Sequence, residues 1–229
     1  MKLSTIAKSS LALGILTTGI ITTHAQSANA AESFNSGVQI INKDNTSLHS
    51  YYRQAYYEFN NVSGTKKDNQ ITVETDHQAL RIQLPQSELN KYLDGRVSNI
   101  DVFAVKEYND TKLPSIGGIT QNTKPLKDGP ITPKISLRKS NDTGIFTDDV
   151  HLSIEKQNVS LKELDFKLRQ QLVEHDGLYT NGYKRGNIFI RMKDNVRHDI
   201  DLSDKLPVSQ MGTVIDATQI DHIHVEMKS

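Results

Sequence analysis

Three features of the sequence predict an α+β chain of two domains. Five short strand-like runs lie between Phe59 and Thr120, with a helical insert between the third and the fourth. That order fits an OB-type Greek-key barrel. Pro125, Gly129, Pro130 and Pro133 then interrupt any regular element, so Gln121 to Pro133 reads as a linker. Beyond it come strand, strand, one long helix and further strands, the order of a β-grasp domain. The predicted boundaries are 45–125 for an N-terminal OB-fold barrel and 126–229 for a C-terminal β-grasp domain.

The chain begins with a basic start at Lys2 and Lys8, a mostly small and apolar run from Ser9 to Thr23, and the small-x-small triplet Ala28-Asn29-Ala30. This is the pattern of a secretory leader cleaved after Ala30. The run is too short and too broken by Thr and Gly to anchor in a bilayer, so no membrane insertion is expected. Of 27 basic and 27 acidic residues, the leader takes two lysines, which leaves 25 against 27, a net charge of −2. Bulk charge therefore gives no support for nucleic acid binding. The cysteine count is zero, which excludes disulfides, thiol catalysis and Cys-ligated zinc.

Residues 31–44 lack periodicity and read as a flexible N-terminal arm. Asn45 caps a short predicted helix over Thr46–Tyr56, with Leu48, Tyr52, Ala55 and Tyr56 on one face. Tyr51, Tyr52, Tyr56 and Tyr57 fit either a stacking platform for sugars or bases, or packing against the barrel with hydroxyls at its rim. Predicted strands follow at Phe59–Val62, Ile71–Thr75 and Leu80–Leu84, then the helical insert Ser87–Asp94. Asn99–Lys106 is the strongest strand, apolar on both faces, and Ser115–Thr120 closes the barrel with Gly117-Gly118 inside it. In the second domain, strands are expected at Lys134–Lys139, Val150–Lys156, Asn187–Lys193, Val196–Leu202 and His222–Met227.

The long helix is the best-determined segment. Ser160 is a good N-cap, Glu163 stands where a capping box needs it, and Val159 and Leu164 have the spacing of a hydrophobic staple. Leu161, Leu164, Leu168 and Leu172 share one face, and Gly177 stops the helix. Glu163 with Lys167, and Asp165 with Arg169, are expected as i,i+4 pairs on the other faces, each worth about 0.2–0.5 kcal/mol.

This helix resembles that of the staphylococcal and streptococcal superantigen toxins, and the run SLKELDFKLRQQL is similar to the staphylococcal superantigen-like branch. The fixed positions of the family's second signature are met by Lys156, Val159, Leu164–Asp165, Arg169, Leu172 and Leu178–Tyr179. Its first signature, Tyr-Gly-Gly-aliphatic-Thr, appears as Ile116-Gly117-Gly118-Ile119-Thr120, with Pro125 in place of a later asparagine. The resemblance implies the same OB plus β-grasp fold. It also implies a secreted immune-evasion protein, a monomer or weak homodimer, that binds a host defence protein or a leukocyte receptor without catalysis. Alternatives from the same resemblance are a T-cell superantigen bridging MHC class II and the T-cell receptor, or a sialylated-glycan binder.

No catalytic residue is assigned and no cofactor is expected. Asp148-Asp149 and Asp199 with Asp201 are acids in polar surroundings, and no nucleophile elbow, phosphate loop or His-Glu-x-x-His is present. His222 and His224 point to one face of the terminal strand and are the weak candidates for zinc. The resemblance places them where some enterotoxins carry a His-x-Asp zinc motif. Two ligands are too few for zinc, and His198 is the one further histidine considered. In the glycan-binding subgroup an arginine precedes a Met. Gln210 stands there before Met211, and an amide cannot hold a sialic acid carboxylate as a bidentate cation does. Partner-binding anchors are expected on three loops, Asn109–Leu113, Asn141–Phe146 and Thr180–Arg185. Tyr183, Lys184 and Arg185 in the last mix an aromatic with cations between Gly182 and Gly186.

Overall fold

The structure is a computed structural model that describes residues 21–22, 45–74, 79–107, 113–123, 126–180 and 182–229. The expected arm at 31–44 and most of the leader lie outside the described residues. Within the expected leader, Ile21–Thr22 forms a short strand, β1, antiparallel to Phe59 and Glu58. Cleavage at Ala30 would remove β1 and uncover that edge of its partner strand.

The N-terminal domain starts with α1 (Asn45–Arg53), three residues shorter than expected at its end, because Tyr56 already begins a strand. The barrel strands are β2 (Tyr56–Lys67), β3 (Gln70–Glu74), β4 (Ala79–Gln83), β5 (Gly95–Val105), β6 (Leu113–Ile116) and β7 (Ile119–Gln121), with a 3-10 helix at Gln86–Lys91. Their order is β6-β4-β3-β2-β5-β7. The single closing strand expected over Ser115–Thr120 is instead broken in two at Gly117 and Gly118, which hold φ of 61° and 80°. β6 runs parallel to β4 and β7 antiparallel to β5, so the break lets one segment close both sides of the barrel. A Cβ on Gly118 would sit 2.2 Å from the Phe103 carbonyl oxygen, which explains glycine there. Phe59, Ile71, Val73, Leu80, Ile82, Ile100, Val102 and Ile119 fill the interior.

The C-terminal domain comprises β8 (Ile135–Asn141), β9 (Gly144–Asp149), β10 (Asn158–Ser160), α2 (Leu161–His175), β11 (Arg185–Met192), β12 (Arg197–Asp201), β13 (Val214–Asp216) and β14 (Ile220–Lys228). The main sheet has the order β12-β11-β14-β8-β9, with β14 parallel to β8. The expected strand at Val150–Lys156 is absent. Gly144–Asp149, part of which was expected as a loop, is the strand instead. β9 shows no burial alternation, being exposed from Ile145 to Asp149, so period-two reasoning misses it. Val150, Leu152 and Ile154 are buried in a crossing tied by the Ile131–Ile154 bridge and by the Val150 N–H to the Ile135 carbonyl.

α2 begins as its sequence dictates. The Ser160 hydroxyl accepts the Glu163 amide at 3.1 Å, and Leu161, Leu164, Leu168 and Leu172 are buried. Ser160→Ala should therefore lower unfolding free energy by about 0.5–2 kcal/mol, measured by urea titration, since Ser160 is itself fully buried. The other half of the capping box is not made, because the Glu163 carboxylate turns to Lys156 at 2.7 Å and Lys167 at 2.8 Å.

Both i,i+4 pairs expected on the remaining faces form, Lys167 with Glu163 at 2.8 Å and Arg169 with Asp165 at 2.6 Å, but in buried surroundings. Lys162, Glu163, Asp165 and Arg169 are all buried, because α1 and the barrel cover the side of α2 that the sheet does not. Arg169 donates from Nε to Asp165 at 2.6 Å, from Nη1 to the Tyr179 hydroxyl at 2.7 Å and the Asp204 carbonyl at 2.8 Å, and from Nη2 to the Asp201 carbonyl at 2.8 Å. Lys162 donates to Glu107 at 3.0 Å, to Ser115 Oγ at 2.8 Å and to the Ile116 carbonyl at 2.8 Å. Glu107 also holds Lys205 and the Tyr51 hydroxyl.

Of the four tyrosines, Tyr51, Tyr52 and Tyr56 enter the core shared with α2, while Tyr57 is half-buried against the barrel interior. Tyr51 and Tyr52 are buried against Phe166, and the Tyr52 hydroxyl donates to Asp165 at 2.8 Å. The Tyr52 hydroxyl thus faces α2, while that of Tyr51 reaches Glu107 just beyond β5, and no stacking platform is formed by them. Tyr51, Tyr52, Phe103 and Val105 belong to the same continuous core as the β-grasp leucines. α1 therefore packs at the seam, in a core that residues of both domains share.

Burial alone would raise the Glu163 carboxyl, but Lys156 and Lys167 bring it down to about 2. A folded value below the unfolded one, about 4.3, stabilises the protein above that pH and is lost as pH falls towards 2. The urea midpoint of Glu163→Gln should depend less on pH than wild type between about pH 5 and pH 2. Parallel curves for the two proteins would contradict this.

Candidate functional site

With α2 and the core on one side, the other face of the five-stranded sheet is open. Side chains alternate along each strand, so register decides what reaches it. Arg185 lies opposite Lys228, Asn187 opposite Glu226, Phe189 opposite His224 and Arg191 opposite His222. On the flanks, β8 adds Ser136, Arg138 and Ser140, and β12 adds Arg197 and Asp199. The Phe189 ring stacks on His224 with centroids 6.2 Å apart, and the Arg197 guanidinium sits 5.2 Å over Phe189. An aromatic capped by a cation and ringed by charges of both signs is the composition of a protein-binding patch.

The expected anchors divide. Tyr183 is only 9% exposed and packs in the core, with Tyr179 N–H bound to its carbonyl and Asn141 donating to its hydroxyl at 3.3 Å. It is therefore not available as a surface anchor. Lys184 and Arg185 are exposed but are not in a mobile turn. Lys184 N–H bonds the Lys228 carbonyl, and Arg185 Nε donates to the Ser229 carbonyl at 3.0 Å. Arg185 instead reaches the same sheet face as His222 and His224. Sequence reasoning kept these apart because nothing local shows that β11 and β14 are neighbours. Within Asn109–Leu113, residues 109–112 lie outside the described residues. Asn141–Phe146 turns out to be the β8–β9 hairpin.

The histidines do share a face, as their i,i+2 spacing requires. His222 Nδ1 lies 2.8 Å from Asp221, and His224 lies 2.9 Å from Ser136 Oγ and 3.5 Å from Glu226. His198 pairs with Ile190, whose side chain is in the core, so His198 sits on the opposite face and cannot complete a site. Among the described residues no group of three or more His, Cys, Asp and Glu is placed to hold a metal. Calorimetry with zinc at neutral pH should show weak binding or none. Tight binding that disappears in His222→Ala would contradict this.

Ser136, His224 and Glu226 form a hydroxyl–imidazole–carboxylate line. β8 and β14 are both interior strands, so their backbone amides are taken up in ladders on either side. Those strand amides are therefore not free to hold an oxyanion beside Ser136. The hollow next to it, lined by Arg138, Ser140, Glu226, Met227 and Lys228, is about 170 Å³. That is well below the roughly 300 Å³ at which small-molecule pockets begin. Gln210 is half-buried and Met211 is buried, its carbonyl accepting from Gly118 N–H across the domain boundary. The place expected for a glycan arginine is thus part of the seam between domains.

Two family models match the chain. A staphylococcal superantigen-like OB-fold domain matches residues 46–123, and a staphylococcal/streptococcal toxin beta-grasp domain matches 133–227. The chain belongs to the staphylococcal superantigen-like family. Staphylococcal superantigen-like 1 of Staphylococcus aureus strain Newman is 40% identical over the whole of both chains. Superantigen-like protein 11 of the same strain is 37% identical over 99% of this chain and 100% of its own. A superantigen-like protein from S. aureus NCTC 8325 superposes with a TM-score of 0.76 at 37% identity, over 81% of this chain and 98% of its own. The superantigen-like protein SSL5 of S. aureus, solved in complex with sialyl Lewis X, gives 0.74 at 30% identity over 80% and 100%. In this family member, the signature residues Lys156, Leu164, Asp165, Arg169, Leu172 and Tyr179 are those that pack and wire α2.

Proposed function

We propose that this superantigen-like protein is a secreted, non-catalytic ligand that binds a host defence protein or leukocyte surface receptor through the open face of its β-grasp sheet. The observation that carries this is the Arg197–Phe189–His224 stack on a sheet whose other face is fixed by α2. Interface energy concentrates in a few aromatic and arginine anchors held on a rigid scaffold. Arg185, Arg191 and Arg138 stand around the stack as rim cations, with Glu226 and Asp199 between them. Secretion rests on the leader, and amino-terminal sequencing of protein from culture medium should begin at Ala31.

The test is capture from human serum and from neutrophil membranes with the mature protein. One dominant partner is expected. Capture of nothing, or turnover of generic ester substrates lost in Ser136→Ala, would overturn the proposal. A second reading, sialylated-glycan binding, is favoured by the sialyl Lewis X complex of the relative at 30% identity. The buried Met211 and the amide of Gln210 speak against it, so immobilised sialyl Lewis X should retain little of this protein. T-cell proliferation should not rise above background.

A further inference from the structure

The two edges of the β-grasp sheet are protected very differently. β12 is short and alternates Arg197, Asp199 and Asp201 along its solvent side, the usual defence of an edge. β9 exposes Ile145 by 58% and Phe146 by 49%, and no strand of the described residues pairs with its far side. Val150 N–H bonds the Ile135 carbonyl, which fixes the parity of the β8–β9 ladder. The N–H and C=O groups of Phe146 and Asp148 therefore point at β8, and those of Ile145, Thr147 and Asp149 point outward. The Asp149 amide is already taken by the Asp148 carboxylate at 2.9 Å, so the open ladder is confined to Ile145 and Thr147.

We propose that β9 joins a second copy of the chain, antiparallel about a two-fold axis at Phe146, to make a ten-stranded sheet. The segment is complementary to itself in that register. Ile145 meets Thr147 of the second copy, and Thr147 meets Ile145, so each pair exchanges both outward-pointing hydrogen bonds. Phe146 meets Phe146 as a non-hydrogen-bonded pair, the closer kind, where aromatic rings interact across strands. Asp148 meets Gly144 and Asp149 meets Thr143, so no carboxylate faces another. A register two residues further along would set Asp148 against Phe146 and leave the apolar pair exposed. The open faces of the two sheets would then be continuous, presenting two copies of the Phe189–His224 stack on one surface.

The chain has no cysteine, so a single introduced thiol reports the contact. Non-hydrogen-bonded partners are about 4.5 Å apart at Cα, within the roughly 4.4–6.8 Å that a disulfide spans. Mature Phe146→Cys should form a discrete disulfide-linked dimer under oxidised glutathione, at least tenfold faster than Leu93→Cys, an exposed site on the barrel. Sedimentation of wild type should show a concentration-dependent dimer, and Thr147→Pro should be monomeric. That proline removes only an outward N–H, so the β8 ladder and the urea midpoint should be kept. Phe146→Asp gives the same reading if Thr147→Pro unfolds. Equal cross-linking rates, a wild type that stays monomeric, or an open ladder of higher species would each overturn the proposal.

Discussion

Replacing Arg169 with alanine should destabilise the protein by about 3–5 kcal/mol, the usual cost of removing one partner from a buried ion pair. Arg169 is fully buried and satisfies Asp165, Tyr179 and the carbonyls of Asp201, Leu202 and Asp204. Truncation leaves a carboxylate and several carbonyls without their donor in a region that water does not reach. Burial already pushes the Asp165 carboxyl upward in spite of Arg169 and the Tyr52 hydroxyl. Without Arg169 it rises further. An acid with a raised folded value costs stability above its unfolded value and recovers it on acidification. The deficit of Arg169→Ala should therefore be smaller near pH 4 than at pH 7. The double variant Asp165→Asn/Arg169→Met should lose less than the sum of the two single changes. Additive losses, or an urea midpoint of Arg169→Ala equal to wild type, would show that this pair does not hold α2 in place.

Leu168→Ala should cost about 2–5 kcal/mol by the combined loss of transfer energy and a cavity. Leu168 is fully buried, mid-helix, in the core shared by the sheet, α1 and the barrel's Phe103. The surroundings are poorly able to relax into the gap, because charged groups on the neighbouring turns are already fixed by Lys162 and Arg169. The expected signature is a lower urea midpoint with an unchanged slope. A midpoint within error of wild type would place this face outside the core.

The helix was legible because its information is local. The Ser160 cap, the leucine stripe and the Gly177 stop lie within 18 residues of sequence, and each is where it was expected. The barrel strands were legible for the same reason, through the apolar run at Ile100–Val105 and the turn residues between them. What failed depends on partners far along the chain. Asp165 and Arg169 look like a surface pair in the sequence, because nothing near them announces that α1, over one hundred residues earlier, covers them. The packing of α1 is hidden in the same way, since Tyr51 and Tyr52 lie against Phe166 of α2, over one hundred residues later in the chain. β9 lacks an alternating pattern because it is an edge strand with little to bury. Tyr183 lies in a stretch rich in glycine and cations, where nothing local distinguishes a buried ring from an exposed one. Arg185, His222, His224 and Phe189 come together only through the β11–β14 register.

The most direct test of the account is binding of the captured host partner by a triple variant, Arg185→Ala/Phe189→Ala/Arg197→Ala, with wild-type urea stability and secondary structure as a condition. Surface-immobilised partner titrated with each protein gives the affinity. The account predicts at least a hundredfold loss, since the three residues include both parts of the Phe189–Arg197 stack. An affinity within threefold of wild type would place the binding surface elsewhere and contradict the account.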